Sequence, residues 1–202
     1  MKLSKKGEYA LRSLIILGIA EEMDRKLVQV TELAESEQLP VKFLEQILHL
    51  LKEAKIVASA RGKFGGYRLA RPARKITIGE VVRLIDGPLA PIRCVSQTAY
   101  EPCTCPDEAH CGLRMLMVDV RNAIAGILDR YTLADVVEIT MSKMRRDSVV
   151  LPFAAGPGHE LASRVSARIA RQRLARKGRT TRAGSTSPTE GVIHHILGEY
   201  SI

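Results

Sequence analysis

The chain has 202 residues and 46% hydrophobic content, enough for one ordinary domain with a core or a small one with appendages. Three phenylalanines, five tyrosines and no tryptophan exclude a ring-stacking platform for single-stranded nucleic acid. The formal charge of +9 points to a polyanionic partner, with nucleic acid ahead of an acidic membrane surface. The start, Met1-Lys-Leu-Ser-Lys-Lys, is charged, and the apolar run Leu14–Ala20 is too short to span a bilayer. A cytoplasmic protein with reduced thiols and no membrane partner is therefore expected.

From Ser4 to Met23, Leu11, Leu14, Ile15, Gly18 and Ile19 recur at helical spacing, with Ser4 as N-cap. A second helix opens at Thr31, whose hydroxyl caps it. After the polar turn Glu37-Gln38, Pro40 suits the first turn of a third helix that runs to about Ala54. Ile56–Ala60 and Tyr67–Ala70 read as two short strands around a Gly-rich turn. Three helices followed by a hairpin is the order of a winged helix-turn-helix, so the fold class is mainly α with a small β wing.

Thr77-Ile-Gly-Glu80 is a capping-box signature for a helix through Ile85, stopped by Gly87-Pro88. A loop follows, and then Leu113, Leu116, Met117, Val120, Ile124, Ile127, Leu128 and Tyr131 line one face of a long helix. Thr132-Leu-Ala-Asp135 caps a last helix through about Met144. The expected organisation is a winged helix-turn-helix over 1–88, a cysteine loop over 89–112, and a dimerisation helix with a short final helix over 113–150. Residues 151–202 form a basic tail expected to be disordered.

All four cysteines, Cys94, Cys103, Cys105 and Cys111, fall within that one loop, where Pro102 and Pro106 forbid a continuous helix. Thiols gathered on one loop suggest a metal or cluster site rather than a disulfide framework. Thiolates are soft ligands that suit zinc, copper(I) or iron–sulfur clusters.

In the third helix, Val41, Leu44, Ile47, Leu48 and Leu51 form the inward stripe. The other face presents Lys42, Glu45, Gln46 and His49, with Phe43 beside it. Such a face can enter a major groove, where Gln46 suits adenine, Glu45 a cytosine amino group and Lys42 a phosphate. Arg61, Lys63 and Arg68 surround a turn made thin by Gly62, Gly65 and Gly66, which directs cations toward a narrow minor groove. Double-stranded DNA is the expected partner. The long helix is the natural seam of a homodimer that covers two half-sites.

Met1-Lys-Leu-Ser, Tyr9-Ala-Leu-Arg12, Phe43-Leu-Glu-Gln46, the wing Val57-Ala-Ser-Ala-Arg-Gly-Lys-Phe-Gly-Gly-Tyr67 and Ile78-Gly-Glu-Val-Val82 stand in an order that resembles one family. It is the bacterial winged-helix regulators typified by the iron–sulfur regulator IscR and the nitric-oxide regulator NsrR. The resemblance covers about residues 1 to 140. It implies a homodimer on a palindromic operator, a repressor or an activator with repressor favoured, and an iron–sulfur cluster on the cysteine loop. Nitric oxide, redox state or iron–sulfur status is the implied signal. A four-iron four-sulfur cluster is favoured, and a two-iron two-sulfur cluster is the alternative.

Members of that family commonly place five residues between successive ligand cysteines, a gap that only Cys105 to Cys111 keeps. The resemblance thus implies Cys94, Cys105 and Cys111 as ligands, with Cys103 as the alternative to Cys105. IscR-like members take a fourth ligand from a histidine three residues beyond the last cysteine, where this chain has Arg114. NsrR-like members take a carboxylate from the first helix of the partner subunit, and Glu8 stands at that position. His110 is a further candidate. A cluster-free, thiol- or zinc-dependent regulator of the same fold is the alternative function. No Ser/His/Asp set, phosphate loop or paired-carboxylate motif is present, so an enzyme is not expected.

Overall fold

The computed structural model describes residues 2–153, so all but the first three residues of the basic tail expected over 151–202 lie outside the described residues. Six α-helices and one hairpin follow in the order α1 (Lys5–Glu22), α2 (Val30–Glu37), α3 (Val41–Glu53), β1 (Val57–Ala60), β2 (Gly66–Leu69), α4 (Ile78–Asp86), α5 (Gly112–Arg130) and α6 (Leu133–Arg146). The compact unit that carries the wing ends at Met141.

Ser4 caps α1 by accepting a hydrogen bond from Gly7 N at 3.0 Å. Helix α1 then runs through the middle of the unit and packs on α2, α3, α4 and β2. For that reason it is buried around most of its circumference, including Ala10, Ser13, Leu14, Ile16, Leu17, Gly18, Ile19 and Ala20. The single stripe expected from spacing is too narrow: Leu11 and Ile15 are only half-buried. The buried Ser13 hydroxyl is satisfied by donating to Tyr9 O at 2.8 Å.

Helix α2 does not start on a Thr31 cap. Backbone pairing of Val28 with Tyr67 (3.0 and 2.8 Å) fixes the approach, so Gln29 takes the N-cap place and Thr31 is already inside the helix. Helix α3 buries Leu44, Ile47, Leu48 and Leu51, whereas Val41 at its first turn is 37% exposed. Pro40 occupies the N-cap place, one position earlier than its assignment to the first turn.

Strands β1 and β2 pair antiparallel from Val57↔Leu69 to Ala60↔Gly66. At Gly66 a Cβ would lie 2.5 Å from Val28 O, so only glycine allows the segment before α2 to lie against the hairpin. Thr77 caps α4 through Glu80 N at 3.1 Å. The reciprocal half of the box is absent, because the Glu80 carboxylate pairs with Arg71.

Thr132 and Asp135 cap each other's backbone N–H groups, at 2.7 Å to Asp135 and 3.3 Å to Thr132, and so start α6. Backbone bonds Ile78 N to Tyr131 O (2.9 Å) and Leu133 N to Ile76 O (2.7 Å) fasten the α5–α6 junction to the start of α4. Helix α5 is the exception to this packing: none of its 19 residues is buried. Leu113, Met115, Leu116 and Ile127 are 58%, 56%, 56% and 45% exposed.

Candidate nucleic-acid interface and cysteine site

Lys42, Glu45, Gln46 and His49 all stand exposed on one face of α3, opposite its buried stripe. His49 Nε2 lies 3.2 Å from Glu53 on the same helix. Phe43 is placed differently from these four. It is half-buried and meets Tyr9 edge-on, with ring centroids 5.8 Å apart and planes at 86°. Arg12 lies over the other part of that aromatic pair, 5.5 Å from the Tyr9 centroid, and its Nε donates to Glu37 at 2.5 Å. Phe43 therefore anchors α3 to α1, and Arg12 ties α1 to the turn between α2 and α3.

On the wing, Arg61 and Lys63 are exposed beside the turn, which Gly65 N closes onto Gly62 O at 2.9 Å. Gly62 has φ +114°, a value that side chains rarely adopt. Arg68 sits farther back, opposite Ala58, and lines a cleft of about 460 Å³ with Glu21 and Asp24 from the end of α1. The turn also holds Phe64, which is 83% exposed. Spacing patterns did not select it, although an aromatic residue between glycines of a turn is a visible signal.

The cysteines are held by local turns rather than by a regular element. A 3₁₀ turn at Arg93–Val95 buries Cys94 to 6% exposure, and Arg121 of α5 donates to Val95 O at 2.6 Å. Burial pushes the Cys94 thiol up, helped by the nearby Cys103 and Glu108 charges, while Arg114 opposes them. Cys103 is half-buried, and its thiol donates to Glu108 at 3.8 Å.

That carboxylate is braced twice, by the Tyr100 hydroxyl at 2.9 Å to each oxygen and by Arg114 Nε at 3.1 Å. The bond to Glu108 pushes the Tyr100 hydroxyl up. Cys105 is exposed, and a hydrogen bond shared with Cys103, with burial and lesser contributions from Cys111, pushes its thiol up to about 11. Cys111 is the N-cap residue of α5. The Tyr100–Glu108–Arg114 bracing was not legible from spacing.

His110 points outward, 84% exposed, with Nδ1 2.7 Å from Asp107. Glu8 lies on α1, paired with Lys5 at 2.7 Å and Arg12 at 3.6 Å, and the Lys5 hydrogen bond holds its carboxyl below the usual range. The structure thus gathers the four cysteines and Glu108, while Glu8 and His110 have other partners. Among the described residues, no three His, Cys, Asp or Glu side chains already surround one metal-sized point. The donor chemistry nonetheless fits a thiolate-held cluster, since four sulfurs lie on one segment and Cys103 neighbours both Cys94 and Cys105.

Residues 3–139 match the family model Rrf2, described as an iron-dependent transcriptional regulator. The chain belongs to the Rrf2 family. It is a transcriptional regulator, not an enzyme, and its winged helix-turn-helix is the family's DNA-binding fold. It is 41% identical over 139 residues to an Rrf2-like transcriptional regulator of Rhodobacter capsulatus, covering 67% of this chain and 91% of the relative. It is 30% identical over 138 residues to the regulator NsrR of Oceanobacillus iheyensis, covering 68% and 90%.

Among solved structures, CymR, the global cysteine regulator of B. subtilis, superposes with a TM-score of 0.57 at 30% identity over 69% of this chain and 98% of that one. IscR of T. potens gives 0.56 at 25% identity over 79% and 96%. Among the described residues of this Rrf2 protein, no helix is long and apolar enough to cross a membrane.

Proposed function

We propose that this Rrf2 regulator binds a palindromic DNA operator as a homodimer, and that its affinity depends on an iron–sulfur cluster held by the 94–111 loop. The observation that carries this reading is the position of Cys111. It ends the cysteine loop and is also the N-cap of α5, so a change in the loop acts directly on that helix. From α5 the connection runs through the Arg83–Asp129 pair to α4, and through Asp86 to Ser4 at the start of α1. Helix α1 packs on α3.

In this reading Lys42, Glu45, Gln46 and His49 face the major groove, Arg61 and Lys63 the minor groove, and Phe43 positions α3. Arg68 contributes charge from the hairpin base. The apolar, unburied face of α5 is the dimer seam. Cys94, Cys111 and one of Cys103 and Cys105 supply the thiolates. Half-burial and its place beside Cys94 support Cys103. Glu8 of a second copy is the fourth donor in this scheme, reached by exchange of its Lys5 partner. A four-iron four-sulfur cluster would supply thiolate-held iron that reacts with nitric oxide or oxygen. Tyr100 and Arg114, through Glu108, hold the loop around Cys103, and Arg121 holds the 3₁₀ turn that carries Cys94.

A second reading has support in the likeness to CymR and in the direct contact of Cys103 with Cys105: a cluster-free thiol- or zinc-dependent regulator of the same fold. Anaerobic purification decides between them. Iron and sulfide in stoichiometric amounts, a visible charge-transfer band and an operator affinity that changes with nitric oxide are expected. A colourless, iron-free protein after anaerobic reconstitution, still binding its operator, would establish the second reading.

A further inference from the structure

Phe64 is 83% exposed, the highest value among the exposed large apolar side chains of the described residues. It occupies a corner of the turn that Gly62 and Gly65 close, with Lys63 at the other corner. The Lys63 ammonium stands 5.8 Å from the Phe64 ring centroid. The hairpin beneath it is held rather than free: Val28 pairs with Tyr67, and the Gln29 amide donates to Lys63 O at 3.4 Å. From Ala54 to Gly79 the chain carries seven Lys and Arg residues and no Asp or Glu.

A wing of this charge selects a polyanion, and its tip, made thin by Gly62 and Gly65, is the part that can reach into a narrow minor groove while the two-stranded ribbon behind it stays outside. Cations account for attraction to phosphates; they do not account for a bare aromatic ring at the point of closest approach. Apolar side chains carried into a minor groove act by entering between base pairs and unstacking them.

We infer that Phe64 is an apolar wedge that enters the operator's minor groove and opens one base step, so that it selects for easily unstacked steps. This rests on the DNA-reading role proposed above. The division of labour is then definite: Arg61 and Lys63 engage phosphates and groove, while Phe64 reads deformability.

The test uses the full chain and a duplex that the wild-type protein selects from a randomised pool, with 2-aminopurine placed at successive positions. In wild type, one position facing the wing should brighten on binding, and the duplex should bend. Phe64→Ala should lose both signals and bind on the order of ten-fold more weakly. It should also keep the slope of log affinity against log salt, because no phosphate contact is lost. Phe64→Leu should retain most of the bend. Arg61→Ala should instead lower that slope by about one.

If Phe64→Ala matches wild type in affinity and bend, or if no position brightens in wild type, the wedge is overturned while the DNA-reading role stands. If the wild-type chain selects no duplex at all, the DNA-reading role falls with it. The exposure of Phe64 leaves the fold out of question, and an unchanged circular dichroism spectrum checks it.

Discussion

Arg83 and Asp129 close a two-pronged ion pair between α4 and α5, with separations of 2.5 and 2.7 Å. Gly79 leaves the room for it, since a Cβ there would lie 2.0 Å from the Asp129 carboxylate. The pair links the helix capped by Cys111 to the last helix of the winged domain. Its energetic weight is modest, because the two side chains are 35% and 44% exposed.

The Arg83 hydrogen bond holds the Asp129 carboxyl below its ordinary range. A lowered carboxylate stabilises the fold above its unfolded pKa, and that contribution disappears as pH falls through the folded value. Asp129→Asn is therefore expected to lower stability by about 0.5–1 kcal/mol at neutral pH, with the gap to wild type closing below about pH 4. Urea unfolding across pH checks this; a gap that widens in acid would contradict the assignment.

Gly18 faces α6, and a Cβ there would lie 2.6 Å from Val137 Cγ2. Val137 is buried and β-branched, so it cannot swing aside cheaply. Gly18→Ala should cost about 1–3 kcal/mol. Thermal unfolding reads it directly, and a variant as stable as wild type would show that α6 has room to move.

The unburied face of α5 makes oligomeric state the sharpest test of its role. Leu116 is 56% exposed, so Leu116→Glu should change the stability of a monomer by less than about 0.5 kcal/mol. In a dimer built on α5 the same change buries a charge and should shift sedimentation to the monomer. A variant that still sediments as a dimer would move the interface elsewhere.

The loop makes a prediction that separates its thiols. Iron and sulfide retention should survive Cys105→Ser and be lost in Cys94→Ser, Cys103→Ser and Cys111→Ser. The reverse pattern for Cys103 and Cys105 would restore Cys105 as the ligand. If Glu8→Ala leaves the anaerobic visible and magnetic-resonance spectra unchanged, the carboxylate from the second copy is excluded.

Much of this fold could be read along the chain, because its signals act over three or four residues. Ser4, Thr77 and the Thr132–Asp135 pair cap the helices that their types and spacings indicate. The polar face of α3 and the Gly-rich turn likewise follow from periodicity and from backbone freedom. The family resemblance placed the chain among regulators for the same reason, since its motifs are short contiguous runs.

What those runs leave open depends on residues far apart in sequence. Phe43 stands beside the polar face of α3 by spacing, but its edge-on contact with Tyr9 is set by the packing of α1 on α3. Thr31 looks like a cap until the pairing of Val28 with Tyr67 moves the helix start. The apolar face of α5 is plain from spacing, but how far it is covered is a matter of packing: among the described residues Met117, Val120, Ile124 and Leu128 are half-buried, while Leu113, Leu116 and Ile127 stay exposed. Cys103 and Cys105 are chemically identical and one residue apart. Only the folded loop, braced by Tyr100, Glu108 and Arg114, makes one half-buried and the other exposed. Burial and partner choice are properties of the assembled surface, and no local period encodes them.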